Sequence, residues 1–335
     1  MQVEYALSDV SGKQKMLNLI MAKKSNQRLQ SYFLLLVNTV VWGAALIMVK
    51  PALEYTTPFR YLLYRYLIAS IAAIPIIFFV VKKTAKSKLK KINIKQIILL
   101  EALGSGLALS ALYSGLKLTS ALEANLLTTT LPIFVTLGGI FLLKERQEKN
   151  EWTGMIIAFI GTIVLTLAPV FALNGQFGQF SIWGNVLILI HNTINLFYFP
   201  LAKKAYKGTP KLLVSSISFY VALLFFIPLV MFELGTSNPV NLISIMITEI
   251  QNFSVFWASF YMAIFGSIIG LTAYIKGQEG IEASEASLFW YLQPLVYIPL
   301  GYVMLHEKIN TVQVVSLIVI FIGVLIAERR SRKKR

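Results

Sequence analysis

Long apolar runs alternate with short charged or turn-forming segments along almost the whole chain. A helix that crosses a bilayer needs about 20 predominantly apolar residues, because the hydrocarbon core is about 30 Å thick. We predict such helices at 31–49, 59–81, 96–116, 121–143, 152–172, 181–202, 210–232, 254–276, 283–305 and 311–327. The pattern therefore indicates an all-α membrane protein with ten transmembrane helices.

The composition agrees with this pattern. Of the 335 residues, 56% are hydrophobic and only 14% are charged, and the mean hydropathy is +0.69. The spans leave no room for a separate soluble domain. The absence of cysteine excludes disulfides, thiolate catalysis and Cys-ligated metal sites. Residues 1–30 are polar and lack a long apolar core, so we expect a cytoplasmic tail and no cleaved signal peptide.

The distribution of Lys and Arg predicts the orientation. With the N-terminus in the cytoplasm, 26 of the 31 basic residues fall in cytoplasmic segments. Only Arg65 lies inside a span, and the outer segments carry Lys50, Arg60, Lys117 and Lys308. This asymmetry predicts two cytoplasmic termini. We interpret the basic C-terminal segment, 328–335, as a cytoplasmic anchor at the membrane surface. We therefore expect a plasma-membrane protein. Despite the net charge of +16, we expect it to bind no nucleic acid.

The chain contains an internal repeat. A shift of 162 positions aligns 104–165 with 266–327 without a gap, and it matches Gly104-Ser105 to Gly266-Ser267, Pro132 to Pro294 and Glu145 to Glu307. Apolar composition alone does not place glycines, prolines and glutamates at one offset. We predict one five-helix unit at 31–172 and a second at 181–327. Because five is odd, the second unit crosses the membrane in the opposite sense, as in many secondary transporters; a channel built from a duplicated unit is the alternative.

Several short motifs resemble the drug/metabolite transporter superfamily, EamA type. They are Val41-Trp42-Gly43-Ala44-Ala45, the stretch from Pro58 to Arg65, the stretch from Ala124 to Pro132 with Lys144-Glu145, and Ala286, Pro294 and Glu307. The resemblance covers residues 30 to 328. It implies a ten-helix carrier that moves amino acids, organic cations, drugs or other metabolites, often outward. It also implies a central cavity lined by helices one, three, four, six, eight and nine.

Polar and aromatic residues inside the spans are the candidate substrate contacts, because polar groups in lipid are costly and usually face a cavity or another helix. His191, Asn195 and Tyr198 share one face of span six at i, i+4 and i+7. An aromatic and amide lining suits an uncharged, zwitterionic or cationic organic molecule, although ordinary packing is the alternative for the tryptophans. The full set is Asn38, Trp42, Thr128, Thr129, His191, Asn195, Tyr198, Trp290, Tyr291 and Gln293.

Two ionisable residues are candidates for coupling transport to an ion, with the proton as the expected ion. His191 titrates near neutral pH in its unperturbed state and could bind substrate or exchange a proton. Its alternative role is an interhelical hydrogen bond, for which Asn38 is the expected partner. Glu101 is the best carboxylate candidate. We expect Arg65 to extend to its nearer interface, so that no Lys or Arg lies at mid-depth, which argues against a phosphorylated substrate.

Other features have structural interpretations. Pro132 and Pro294 each remove a backbone hydrogen bond and are hinge candidates, with a static kink as the alternative. Glu123 and Glu285 begin helices, where the helix dipole favours an anion, so we expect a structural role for them.

The residue inventory argues against an enzyme. Asp9 is the only aspartate, His191 and His306 are far apart, and no Gly-x-Ser-x-Gly motif is present, so we expect no catalytic residues, metal or cofactor. The sequence therefore predicts a secondary-active exporter of a small organic metabolite such as an amino acid, amine or drug-like compound. A facilitator or uniporter for uncharged metabolites is the first alternative. A receptor, which would bind without flux, is the second.

Overall fold

The structure is a computed structural model that describes residues 26–85, 92–119, 124, 127–128, 130–172, 182–235, 238–305 and 311–328. Within these ranges every regular element is helical and no strand occurs. The described residues form, in chain order, α1 (Asn26–Glu54), α2 (Pro58–Lys83), α3 (Ile94–Leu118), α4 (Leu131–Leu143), α5 (Lys149–Ala172), α6 (Ile182–Ala205), α7 (Lys211–Glu233), α8 (Pro239–Ile250), α9 (Phe253–Gly277), α10 (Ala283–Leu288), α11 (Gln293–Leu305) and α12 (Thr311–Glu328).

The helices agree with the predicted spans. In length and composition, α1, α2, α3, α6, α7 and α9 are suited to cross a membrane. The helices α4, α5 and α12 and the consecutive pair α10 and α11 lie at the other four predicted positions. The predicted all-α membrane class is therefore confirmed.

The helix α8 was not predicted, because its apolar run is too short to cross a bilayer. Its 12 residues extend about 18 Å at about 1.5 Å per residue, against a hydrocarbon core of about 30 Å. Asn238 caps its first turn by accepting a hydrogen bond from the Val240 N–H. Near its end, Glu249 pairs with Arg60 and accepts a hydrogen bond from the Tyr64 hydroxyl at 2.7 Å. These contacts attach α8 to α2.

Two helices contain π-helical segments at matching positions. The segments are Ala102–Ala108 in α3 and Met262–Leu271 in α9. A shift of 162 positions places the first on residues 264–270, inside the second. A π-helix replaces the usual i→i+4 hydrogen bonds with i→i+5 bonds, and such segments often mark functional sites. Both segments lie at the centre of the helix bundle.

The fourth and ninth predicted spans are interrupted ahead of a proline. Pro132 is the second residue of α4, and Pro294 is the second residue of α11, which follows the 3₁₀ segment Phe289–Leu292. Proline is tolerated in the first turn of a helix because the N–H that it lacks has no intrahelical acceptor there. The two prolines therefore begin new helical segments and do not kink continuous helices.

The pair α5 and α12 packs through small residues. A Cβ atom on Gly154 would lie 2.3 Å from the Ala327 nitrogen, and a Cβ atom on Gly323 would lie 2.6 Å from the Ala158 nitrogen. Backbone atoms cannot move aside as a flexible side chain can. Glycines thus let these two helices approach closely, which is a common way for membrane helices to associate.

The outer surface of the bundle is apolar, and its mainly apolar interior also contains buried polar side chains. Phe232, Trp183 and Phe141 are at least 72% exposed, as expected of side chains that face lipid. Asn38 and Glu101, by contrast, are completely buried. This arrangement concentrates the hydrogen-bonding side chains around the centre of the bundle, where the cavity described below lies.

Candidate functional site

A cavity of about 170 Å³ lies among α1, α2, α3, α4, α6, α9, α11 and the 3₁₀ segment before α11. A water molecule needs about 10–15 Å³ of such volume, so the space corresponds to about a dozen waters or one small organic molecule. The resemblance implied a lining from the predicted spans one, three, four, six, eight and nine, which correspond to α1, α3, α4, α6, α9 and the consecutive pair α10 and α11. All six spans contribute, and α2 adds Arg65 and Tyr66.

The cavity brings together most of the candidate substrate contacts. Asn38 and Tyr291 are buried but do not line it, and Thr129 lies outside the described residues. Both hinge candidates, Pro132 and Pro294, are on its wall. The candidate contacts that do line it are Trp42, Thr128, His191, Asn195, Tyr198, Trp290 and Gln293.

One wall of the cavity is aromatic. The Trp42 and Trp290 rings stack with centroids 6.2 Å apart, and Phe199 packs 4.9 Å from Trp290. Asn38 orients this wall, because its side chain accepts a hydrogen bond from Trp290 Nε1 at 3.2 Å and donates one to the Gly270 carbonyl at 3.1 Å. Asn38 therefore supports the lining without being part of it.

His191 is fixed in one tautomer by its neighbours. Its Nδ1 atom lies 2.8 Å from the Ala108 carbonyl oxygen, which can only accept, so Nδ1 carries the proton. The Asn195 amide nitrogen donates to the His191 backbone carbonyl at 2.9 Å and lies beside the ring, 3.1 Å from Nε2 and 3.2 Å from Nδ1. The expected hydrogen bond between His191 and Asn38 is wrong. The interhelical partner is the Ala108 carbonyl in the π-helical segment of α3.

Four hydrogen bonds around the cavity follow one repeated pattern. Asn38 on α1 donates to the Gly270 carbonyl of α9, and His191 on α6 donates to the Ala108 carbonyl of α3. The acceptors are 162 positions apart, and the donors are 153 positions apart. The next residue along each helix repeats the pattern, because Thr39 donates to the Phe289 carbonyl and Asn192 to the Leu127 carbonyl. Sequence alignment of α1 with α6 is too weak to reveal this correspondence.

Glu101 is enclosed by hydroxyl groups. Its Oε1 atom accepts from Tyr198 at 3.0 Å and from Tyr206 at 2.6 Å. Its Oε2 atom accepts from Ser105 at 2.8 Å and from Ser218 at 2.6 Å. Glu101 does not line the cavity, but Tyr198 and Ser105 do, so a single side chain separates the carboxylate from the cavity. The sequence predicted the carboxylate and missed its four partners, which come from three helices.

Arg65 contradicts the sequence-based expectation. Its side chain is only 5% exposed and lines the cavity, so it does not extend to an interface. Its Nε atom donates to Ser267 at 3.0 Å, and its Nη1 atom donates to the Tyr113 hydroxyl at 3.3 Å. These neighbours on α9 and α3 hold the guanidinium inside the bundle. The expectation that no cation lies at mid-depth is therefore wrong, and the argument against a phosphorylated substrate that was built on it does not stand.

The described residues directly before α4 have contacts within the segment and with α6. The Thr128 hydroxyl donates to the Ala124 carbonyl at 2.8 Å, within its own segment. Asn192 of α6 reaches across to this segment and donates to the Thr130 hydroxyl as well as to the Leu127 carbonyl. The backbone at this break is therefore held by a side chain from another helix, as irregular backbone in a membrane requires.

A second polar cluster joins the 144–148 connection to the start of α10. Glu145 Oε1 pairs with Lys203 at 2.9 Å and accepts from the Ala283 N–H, while Oε2 accepts from the Ser284 N–H and hydroxyl. Burial by itself raises the pKa of Glu145, but Lys203 and these N–H groups more than offset it, so the pKa lies below 4.5. The carboxylate is thus charged at neutral pH.

Glu285 extends this cluster toward α1. It lies in the first turn of α10, is 5% exposed, and pairs with Arg28 at 2.5 Å. The Tyr32 hydroxyl donates to the same oxygen at 2.7 Å. Glu123 and Glu307, the repeat counterparts of Glu285 and Glu145, lie outside the described residues.

Comparison with known proteins gives a consistent result. The model of the EamA-like transporter family matches residues 29–167 and 182–328, and this family normally has ten helices. The uncharacterized transporter YyaM of Bacillus subtilis is 28% identical over 304 residues, which cover 90% of this chain and 94% of YyaM. An uncharacterized transporter of Archaeoglobus fulgidus is 22% identical over 91% of this chain and 99% of its own.

Two further comparisons agree. The uncharacterized inner membrane transporter YedA of Escherichia coli is 25% identical over 86% of this chain and 87% of YedA. A crystal structure with 18% sequence identity superposes with a TM-score of 0.70 and covers 91% of this chain and 96% of the other. At that identity the superposition establishes the fold alone.

Proposed function

This chain belongs to the EamA-like transporter family, and from that membership we propose that it is a secondary-active transporter of a small organic metabolite. In this proposal, two inverted five-helix units, 31–172 and 181–327, enclose the cavity and expose it alternately to the two sides of the membrane. The observation that carries the proposal is the repeated pattern of hydrogen bonds from α1 to α9 and from α6 to α3.

The repeated hydrogen bonds support alternating access for a geometric reason. Each bond joins a helix of one proposed unit to a helix of the other, and each acceptor lies in a π-helical segment or ahead of a proline that begins a helix. If the two units are related by a two-fold axis in the membrane plane, each can adopt the conformation of the other. The protein then has two conformations of similar free energy, one open to each side of the membrane. The interrupted segments are where the backbone can change conformation at the least cost.

The size and lining of the cavity favour a small amphipathic substrate. Its aromatic wall, formed by Trp42, Trp290 and Phe199, suits an apolar group, and the amide of Gln293 and the hydroxyl of Thr128 add hydrogen-bonding capacity. An amino acid, amine or drug-like compound of similar size fits these contacts. We propose that net transport is outward and that the protein resides in the plasma membrane with both termini in the cytoplasm.

For coupling, the contacts favour Glu101 over His191. Hydroxyl groups can donate to a carboxylate and, after rotation, accept from a carboxylic acid, so the four partners of Glu101 suit either protonation state. The His191 ring has one acceptor, the Ala108 carbonyl, and the amide nitrogen of Asn195 beside the ring cannot accept, so its described contacts provide no acceptor for a second ring proton. We therefore propose that a proton on Glu101 is linked to the cavity through Tyr198.

Counterflow in proteoliposomes tests the proposed function. Vesicles loaded with an unlabelled amino acid or amine should take up the labelled compound several-fold faster than empty vesicles, since a carrier exchanges substrate faster than it returns empty. Uptake should also saturate. A channel gives no acceleration, and a receptor gives binding without uptake, so either outcome would replace the proposal. Trp290→Ala should reduce uptake at least tenfold, whereas the control Trp183→Ala, on an exposed side chain, should not.

A further inference from the structure

The cavity has one charged side chain among its described lining residues, and that side chain has no counter-charge. Arg65 is 5% exposed, and its two hydrogen-bond partners, Ser267 and Tyr113, are neutral hydroxyls. The guanidinium also lies 5.2 Å from the centre of the Tyr66 ring. In the part of the chain that the structure describes, no carboxylate forms an ion pair with Arg65.

A buried cation without a counter-charge is costly, because it has lost its hydration and gained no opposite charge in return. The guanidinium carries five N–H donors, and its described hydrogen bonds engage only Nε and Nη1. Among the described residues, Nη2 donates to no acceptor. The unused donors form a planar fork, which matches the two oxygens of a carboxylate.

The buried carboxylate behind the cavity wall already has four hydrogen-bond partners of its own. Glu101 is completely buried and accepts four hydrogen bonds, two on each oxygen, from Tyr198, Tyr206, Ser105 and Ser218. These contacts hold Glu101 behind the cavity wall, and no described hydrogen bond or ion pair joins it to Arg65. A negatively charged group on a molecule that enters the cavity would supply the charge that the described residues do not.

The rest of the lining defines the other end of that ligand. The aromatic wall of Trp42, Trp290 and Phe199 is apolar, and the cavity volume of about 170 Å³ limits the ligand to a small molecule. We propose that Arg65 is the specificity-determining residue of the cavity and binds the carboxylate of an amphipathic organic acid or amino acid. Amines without an acid group are then poor substrates. This inference rests on the proposed function and narrows its substrate class.

The competing explanation is purely structural. The hydrogen bonds of Arg65 connect α2 to α9 and to α3, so the side chain could serve only to join these helices. A joining role predicts that variants lose stability and keep the same ligand preference. A carboxylate site predicts that the ligand preference itself changes. The experiment must therefore measure selectivity along with stability.

Matched acids and amides provide that measurement. The purified protein in detergent is titrated with 3-phenylpropionate and 3-phenylpropionamide, with L-phenylalanine and L-phenylalaninamide, and with phenethylamine, and its melting temperature is followed. For the wild type we expect each acid to bind at least tenfold more tightly than its amide, and phenethylamine to bind as weakly as the amides. Sodium chloride and sodium sulfate at matched ionic strength serve as inorganic anion controls.

Variants assign the preference to Arg65. R65Q should weaken acid binding at least tenfold and remove the difference between acid and amide, whereas R65K should retain part of it. Ser267→Ala keeps the cation and removes one orienting hydrogen bond, so it should give an intermediate loss even if R65Q folds poorly. Lys82→Gln removes one positive charge from the exposed end of the same helix and should keep the wild-type ratio.

Several outcomes overturn the inference. It is wrong if acids and amides bind equally, if neither class binds, if R65Q keeps the acid preference, or if chloride or sulfate alone reproduces the Arg65-dependent stabilisation. Failure of the broader proposal looks different. Flux of amines without acid preference would overturn only the carboxylate site. Acid binding that depends on Arg65 without any counterflow would overturn only the transport cycle.

Discussion

Single residues at the centre of the bundle have roles that depend on their partners more than on their own chemistry. Asn38 and Tyr198 both stood out in the sequence as polar groups within spans, but the structure gives them different positions. Asn38 holds the Trp290 indole and the Gly270 carbonyl from behind the cavity, whereas Tyr198 touches both the cavity and Glu101. Periodicity along one helix identifies its polar face and leaves the contacts of that face undetermined.

The first prediction concerns Glu101. Replacement by Gln keeps the size of the side chain and removes its titration, so Glu101→Gln should abolish substrate-dependent proton movement, measured with a pH-sensitive dye inside proteoliposomes. Counterflow, which needs no net proton transfer, should persist. His191→Ala should retain proton movement with an unchanged pH profile. Proton coupling that survives in Glu101→Gln and is lost in His191→Ala would reverse the assignment.

At the level of helices, close approach and capping explain how the elements fit together. The prolines begin helical segments, glycines permit the α5–α12 contact, and Glu145 caps the start of α10 from the 144–148 connection. The repeat in the sequence matched the two prolines to each other and Glu145 to Glu307, but it did not single out Gly154, whose counterpart is Ser316. It could not predict which helices they join, because a repeat shows which positions of the two halves are equivalent but not which helices are in contact.

The second prediction tests the α5–α12 contact. Gly154→Ala places a Cβ atom against backbone atoms of α12, so the helices must separate, and the expected cost is about 1–3 kcal/mol. Gly161→Ala meets only side-chain atoms of Ile320 and Val319 and a backbone nitrogen at 3.0 to 3.2 Å, so its cost should be smaller. Thermal unfolding in detergent measures both. Equal costs would show that backbone contact does not control this pair.

The third prediction concerns the pH dependence contributed by Glu145. Its pKa in the folded protein lies below the ordinary value of 4.5, so it stabilises the fold above that value, and this contribution is lost as the pH falls through the lowered pKa. Glu145→Gln should lower the melting temperature at pH 7 and lose less stability than the wild type between pH 6 and pH 3.5. Parallel curves for the two proteins would contradict the assignment. Glu148→Gln, in the same connection, is the control.

At the level of the whole molecule, the bundle is a membrane transporter with polar side chains from several helices around a central cavity. The family match extends across both proposed units. The hydrogen bond from α1 to α9 has its counterpart in the hydrogen bond from α6 to α3. A scaffold of this kind can present one site to two sides, which is the physical basis of the proposed alternating access.

The fourth prediction tests the orientation. The chain has no native cysteine, so single substitutions can be labelled without background. Cysteine at Tyr55, an exposed residue between α1 and α2, should react with an impermeant maleimide in intact cells. Cysteine at Lys207, an exposed residue between α6 and α7, should react only after permeabilisation. Reaction of both from the same side would contradict the proposed inverted arrangement.

The sequence by itself determined the helical class and the approximate positions of the spans, and seven of its ten candidate substrate contacts line the cavity. It could do so because lipid requires continuous apolar helices and makes each internal polar residue conspicuous. It missed α8, whose apolar run is too short to suggest a membrane span. It also misplaced Arg65 and the partner of His191. Those depend on which helices meet at a given depth, and only the packed bundle decides whether a long cation reaches water or is held by hydroxyls from two other helices.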